Sequence, residues 1–345
     1  MDQCRIRFDM ADSNNLNSRP FDELRDLSLM KSEGSLSLSK GPYPTNKNTL
    51  IVIAGPTASG KTAFAIDMAK ALSTVILSAD SRQFYKEMSI GTAAPTEEEL
   101  SQAKHYFVHH ISIKDKYDVA DYERDVLQLL DELFKTHDAV IMTGGSGLFI
   151  NAVCNGIDAM PDVQPEIREK VQKIYDEGGL KALQDEVQNL DPEYFAIVDQ
   201  QNPRRLQRAL EVCYQTSRTF TSFRSGNAVQ RDFEIKKYAL LWDRQELIER
   251  IDKRVDMMME QGLLEEAKAL YPKRHLNALN TVGYKELFAY FDGDCTLAEA
   301  VDQIKIHTRQ YAKRQMTWLR KDTSYQWIMP EDFDNTLSAL RQEMA

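Results

Sequence analysis

Residues 49–62 read TLIVIAGPTASGKT, and this run decides the fold. Residues 49–54 are an unbroken apolar stretch, as expected of a strand covered on both faces in a parallel sheet. The next eight, Gly55-Pro56-Thr57-Ala58-Ser59-Gly60-Lys61-Thr62, fit the pattern G-x-x-x-x-G-K-[ST]. A helix is expected to open at Lys61, which gives strand, loop and helix in the required order. The glycines let consecutive backbone N–H groups turn toward an anion, and the helix N-terminus adds partial positive charge. Lys61 is placed to meet phosphate oxygens and Thr62 to ligand Mg²⁺. The loop therefore implies a diphosphate or triphosphate, but not a reaction. A P-loop hydrolase would need a second strand ending in an acid that helps hold the metal. The candidate strand at 139–143 (AVIMT) runs into Gly144-Gly145 instead, which disfavours ATP hydrolysis.

Outward from the loop the alternation continues. A second apolar run at 74–78 ends in Ala79-Asp80-Ser81, a third candidate strand spans 106–111, and a helix is predicted over 119–134. The fourth strand at 139–143 leads into a helix from Ser146. Strands alternating with helices mean βαβ units and a doubly wound, parallel α/β sheet of P-loop type. Residues 164–224 read only as helices, at 165–177, 180–186 and 203–216. One more strand is expected at 236–242, then helices at 244–261, 263–271, 284–290 and 297–319. The expected organisation is a mobile tail (1–46), a catalytic core (47–160 and 200–345) ending in helices, and a helical insertion domain (161–199).

The 345 residues are 42% hydrophobic and 28% charged, which are globular values and exclude a wholly disordered or fibrous chain. No apolar run approaches the ~18 residues a membrane helix needs. Residues 1–30 have no apolar core of a secretory signal. Cys4, Cys154, Cys213 and Cys295 are far apart, so no CxxC zinc pair exists and no disulfide framework is expected. A reduced, cytoplasmic, monomeric protein with no membrane partner is expected. The net charge of −10 disfavours a nucleic-acid partner unless basic residues are gathered locally.

Asp80 lies just past the C-terminal end of the second strand, the edge where ligands bind in open α/β sheets. From position alone it is equally a general base or metal-shell group and a simple turn cap. The residues that follow, SADSRQFYKEMSIGTAAPT at 78–96, resemble the signature of the tRNA dimethylallyltransferases, or tRNA isopentenyltransferases. The likeness extends to GPTASGKT at 55–62, GGSGLF at 144–149, NPRRLQRALEV at 202–212, NTVGYKEL at 280–287 and TRQYAKRQMTWLR at 308–320. These blocks are in order and together cover roughly 48–320. Ser146 stands where the family more often has Thr, which keeps the hydroxyl. No zinc-finger spacing is present, as in the bacterial form.

The resemblance implies transfer of a dimethylallyl group from dimethylallyl diphosphate to N6 of the adenosine 3′-adjacent to the anticodon in tRNA, with release of diphosphate. It implies that Asp80 takes the N6 proton, that Thr57 lies near the leaving oxygen and that Arg244 binds the diphosphate. Asp243-Arg244-Gln245-Glu246 also reads as a capping box at a helix start, which would make Arg244 a plain surface residue. The target base must leave its stack, and Ser81, Arg82, Gln83 and Ser146 are expected near it.

Two basic stripes offer a footprint for the RNA backbone. Over 203–214, Leu206, Ala209, Leu210 and Cys213 fall on one helical face and Arg204, Arg205 and Arg208 on the other; the block including Leu206 and Gln207 is taken as tRNA-binding. Residues 301–321 carry six Lys or Arg against one Asp, with Lys305, Arg309, Lys313 and Arg320 in one row. Arg168 on the insertion and the turn through Thr281, Gly283, Tyr284 and Lys285 are further candidates. A small-molecule P-loop kinase, an adenylate isopentenyltransferase acting on free AMP and a P-loop RNA-binding protein without catalysis are the rival readings. Residues 112–124 hold only Arg124, a poor match to the arginine-bearing lid of such a kinase. The AMP enzyme would need neither the insertion nor the basic stripes.

Overall fold

The computed structural model describes residues 48–226 and 229–344; the expected tail at 1–46 lies outside the described residues. Two compact units are present. The first runs up to Cys154 and resumes at Arg231, and the second is Asn155–Gln230.

The first unit is built on a six-stranded sheet: β1 (Thr49–Ala54), β2 (Ile76–Ser78), β3 (His105–Tyr106), β4 (Ala139–Gly144), β5 (Glu234–Leu240) and β6 (Tyr325–Ile328). Its order is β3-β2-β4-β1-β5-β6, and every pair is parallel. β1 is central, with Leu50, Ile51, Val52 and Ile53 all at 0% exposure. Each such side chain contributes about 1.5–3 kcal/mol of burial free energy. The connecting helices are α1 (Lys61–Leu72), α2 (Glu97–Gln102), α3 (Val119–Leu133) and α4 (Gly147–Asn155). Because all strands run the same way, the carboxyl ends of β1, β2 and β4 deliver Gly55, Asp80 and Gly145 to one edge.

The second unit packs α5 (Pro165–Leu190), α6 (Pro192–Ile197) and α7 (Pro203–Thr216) around Val171, Leu183, Val187, Leu206, Leu210 and Cys213. Its one deeply buried acid, Asp191 (1% exposed), accepts from the Tyr194 and Thr221 N–H groups and the Thr221 hydroxyl at 2.7–3.0 Å. Back in the first unit, four helices follow β5: α8 (Arg244–Glu260), α9 (Leu263–Leu270), α10 (Tyr284–Asp292) and α11 (Leu297–Leu319). α12 (Phe333–Met344) closes the described chain.

Several expectations are corrected. The third strand is His105–Tyr106 only, because Phe107 and His109 take left-handed backbone angles (φ 61° and 49°) that break the ladder. The helices expected at 165–177 and 180–186 are one element, kinked at Gly179 (φ 63°, ψ −158°). β6 and the α2 and α12 helices were not anticipated; β6 is four residues long with only its ends buried. The helical unit is wider than the expected 161–199, because α7 buries its apolar face against α5 and so belongs with it. Among the described residues, no helix is long and apolar enough to cross a membrane.

Candidate active site

The loop between β1 and α1 turns on Gly60, which caps α1 in the left-handed region (φ 84°). Ala58 shares that conformation (φ 64°) without being glycine, a strained state that surrounding contacts must hold. α8 and Trp242, two residues past β5, supply them. The Arg250 Nε donates to the Ala58 carbonyl at 2.8 Å and the Trp242 Nε1 to the Ser59 carbonyl at 2.9 Å. The Arg250 guanidinium lies 4.0 Å from the Trp242 ring centre.

This loop lines a cavity of about 1290 Å³. Lys61 sits in it with its Nζ donating to the Pro56 carbonyl at 2.7 Å. Burial, helped by the Arg254 charge and opposed by Asp80, pulls the Lys61 ammonium down to about 7. Burial also lowers Arg254, with Asp80 and Glu99 opposing. Two cations drawn out of water beside a ring of backbone N–H groups make an anion site. Thr62 faces the same space.

Asp80 lines the same cavity, in an Asx turn with its Oδ1 accepting from the Arg82 N–H at 3.0 Å. Beside it, the Ser146 Oγ accepts from the Ser81 N–H at 3.0 Å and donates to the Ser81 Oγ at 3.2 Å. Tyr311 bonds Ser146 through its hydroxyl; burial first, then the Asp80 charge, pushes that phenol up to about 12. So Thr57, Lys61, Thr62, Asp80 and Ser81 share one cavity, and Ser146 bonds Ser81 at its edge.

Other expected site residues are placed differently. Arg82 lines the cavity, with its Nη1 donating to the Asn277 and Ala278 carbonyls at 3.3 and 3.0 Å. Gln83 also lines the cavity, and its amide donates to the Thr92 and Ala93 carbonyls. Arg244 opens α8, exposed, behind its Asp243 cap, and does not line the cavity. The arginines of that helix that face the loop are Arg250, bonded to the Ala58 carbonyl, and Arg254, whose charge acts on Lys61.

Leu206 is 0% exposed in the core of the second unit, so it has no surface for RNA. Gln207 donates to the Gln172 side chain, and Arg208 pairs with Glu211 at 3.4 Å; Arg168, Arg204 and Arg205 are exposed. Thr281 and Gly283 line the cavity, whereas Tyr284 is fully buried with its hydroxyl donating to Glu266 at 2.6 Å. Lys285 does not line the cavity. The α11 row is half neutralised: Lys305 pairs with Asp256 and Arg309 forks onto Asp252, both on α8. Lys313 is exposed.

Residues that escaped the sequence reading as site members include Arg250, Arg254, Tyr311 and Gln315. A signal existed for two of them. Arg254 falls between the buried Ile251 and Val255, and Gln315 is in phase with the buried Ala312 and Leu319. A polar side chain on an apolar helical face must find partners, and here they are in the cavity.

A family model described as IPP transferase matches residues 83–322. The chain is 50% identical over 284 residues to "tRNA dimethylallyltransferase 1" of Phocaeicola vulgatus, covering 82% of this chain and 95% of that protein. It superposes on the crystal structure of a full-length tRNA isopentenylpyrophosphate transferase from Bacillus halodurans with a TM-score of 0.63 at 33% identity, over 86% of this chain and 96% of that one. A eukaryotic dimethylallyltransferase crystallised acting on tRNA shares the fold, with a TM-score of 0.70 at 23% identity over 86% and 77% of the two chains.

Proposed function

Because the chain belongs to the IPP transferase family, we propose that it is a tRNA dimethylallyltransferase. It transfers the dimethylallyl group of dimethylallyl diphosphate to N6 of the adenosine 3′-adjacent to the anticodon and releases diphosphate. The observation that carries this reading is one cavity lined by both the phosphate loop and the Asp80 carboxylate. A leaving diphosphate needs the first environment and an incoming amine the second, within one cavity.

The chemistry follows from the two environments. The N6 nitrogen forms a bond to C1 of the allyl group, the C1–O bond breaks, and its electron pair leaves on the diphosphate. The N6 proton passes to Asp80, a positioned carboxylate acting as general base. Charge grows on the diphosphate, where Lys61, Arg254 and the loop N–H groups stand ready; donors fixed before the reaction need no reorganisation. Thr57 flanks the leaving oxygen. Arg254 takes the diphosphate role that the sequence suggested for Arg244, as its guanidinium grips two oxygens at once.

Magnesium fits this site on its donor set. Among the described residues no cluster of three or more His, Cys, Asp or Glu could form an all-protein cage. Mg²⁺ bound to phosphates and water needs little more than the Thr62 hydroxyl. It would offset charge on the diphosphate. The adenine must be extruded from the anticodon loop to reach Asp80. Exposed Arg168, Arg204 and Arg205 on the helical unit are the candidates for holding the stem-loop phosphates.

The test is transfer from radiolabelled dimethylallyl diphosphate with Mg²⁺ to unmodified tRNA or to AMP. Label in tRNA alone is expected. Label in AMP would assign the chain to free adenylate, and label in neither would sink the reading.

A further inference from the structure

The buried end of α11 holds a side chain that the chemistry above does not use. Gln315 is 7% exposed. Its Oε1 accepts from the Thr57 N–H at 2.8 Å, and its Nε2 donates to the Gly145 carbonyl at 2.9 Å. One planar amide thus bonds the phosphate loop after β1 and the loop after β4 that carries Ser146. These loops serve opposite ends of the reaction. The first holds the leaving group, and the second, through the Ser146–Ser81 pair, borders the carboxylate of Asp80.

Gln315 is the side chain suited to this position, because an amide donates and accepts at once from a rigid plane. Glutamate would accept only, and would aim a lone pair at the Gly145 carbonyl. Methionine fills the space and does neither. The partner side is equally particular. A Cβ added at Gly145 would lie 2.2 Å from the Gln315 Nε2, so the loop is kept bare where the amide presses on it. The bond also removes the Thr57 N–H from the phosphate cradle, leaving the N–H groups further along the loop to meet the anion.

We propose, resting on the prenyl-transfer reading, that Gln315 is a positioning residue that sets the distance between donor and acceptor by clamping the β1 and β4 loops together. It touches neither the transferred group nor N6. Its loss leaves both substrates bound but misaligned, and misplacement of about 1 Å costs on the order of 10²-fold in rate.

The experiment measures single-turnover transfer to tRNA, with KM for each substrate, in wild type, Gln315→Met, Gln315→Glu and Gly145→Ala. Melting is followed alongside by circular dichroism. Gln315→Met is expected to lower kcat by on the order of 10²-fold with both KM values little changed. Gly145→Ala takes no left-handed angle and displaces only the tip of a flexible side chain, so it is expected to keep the melting temperature and lose rate in the same way. It carries the test if Gln315→Met fails to fold. Gln315→Glu supplies the signature a structural role would not. Protonated, its carboxyl regains both a donor and an acceptor, and burial raises its pKa. Its rate relative to wild type is therefore expected to recover as pH falls from about 8 to about 5.5. A pH-independent ratio, or rates for the Met and Ala variants within about threefold of an active wild type, would overturn the clamp alone. A wild type that transfers nothing to tRNA would overturn the clamp together with the reading beneath it.

Discussion

Lys61 is the ionisable group most displaced by the phosphate loop, and its displacement makes a stability prediction. Its ammonium falls from the ordinary 10.5 to about 7. Each pH step of displacement is worth about 1.4 kcal/mol, so holding the charge inside the ligand-free fold costs about 5 kcal/mol. The sign follows from proton counting. Between pH 7 and 10.5 the unfolded chain keeps a proton that the folded chain has lost, so stability rises with pH there. Below 7 both states are charged and the full cost remains. Integrated from pH 7 to pH 9, wild type gains about 2 kcal/mol. Lys61→Met cannot. Urea unfolding of both proteins at the two pH values tests this. All three tryptophans lie in the first unit, so their fluorescence reports the part that matters. Titrations elsewhere cancel in the difference. Equal gains in wild type and variant would refute the argument, as Lys61 would then titrate as in water. Saturating diphosphate should close the gap, because the anion restores the charge and binding takes up a proton above pH 7.

Other outcomes are expected. Asp80→Asn should lower single-turnover transfer by on the order of 10²–10⁴-fold while tRNA affinity holds, and near-normal turnover would remove Asp80 as base. Arg254→Gln should weaken binding of dimethylallyl diphosphate far more than Arg244→Gln, and the reverse order in competition assays would restore the exposed arginine. Arg205→Ala should lower the salt slope of tRNA binding by about 1, and an unchanged slope would take that face off the RNA. Arg309→Ala should leave that slope nearly intact and lower the melting temperature, because it strands Asp252.

The sheet, the phosphate loop and the long α11 helix were legible because each imposes a pattern visible from sequence. β1 and β4 are covered on both faces, so they read as unbroken apolar runs. α11 spans Leu297–Leu319, the bounds the periodicity predicts, with a capping box from Thr296 to Glu299 at its start. β6 was not legible, since an edge strand of four residues leaves too short a pattern. Charge was the weakest guide. Arginines in a row show that a helix face is basic, but not that α8 sets Asp252 and Asp256 against it. Arg244 and Arg254 lie on the same helix, and only Arg254 lines the cavity.

The strand pairing bears on how this chain is made. β1 emerges from the ribosome first, yet Thr49 pairs with Ala139 on one side and with Glu234 on the other. The contiguous helical unit from Asn155 to Gln230 is synthesised between those two partners. Its contacts are local in sequence, so it can collapse during translation. The central strand meanwhile has one open flank of backbone and apolar side chains until β5 arrives, and the sheet edge is not finished until β6 at Tyr325–Ile328. The chain leaves the first unit at Cys154 and returns at Arg231, whose guanidinium donates to the Ala152 and Val153 carbonyls and pairs with Glu123. That staple closes the gap in the sequence only when β5 is about to follow. Among the described strands the first made is thus among the last to be satisfied, and nascent chains stalled before residue 234 would leave one flank of β1 unpaired, an edge open to aggregation.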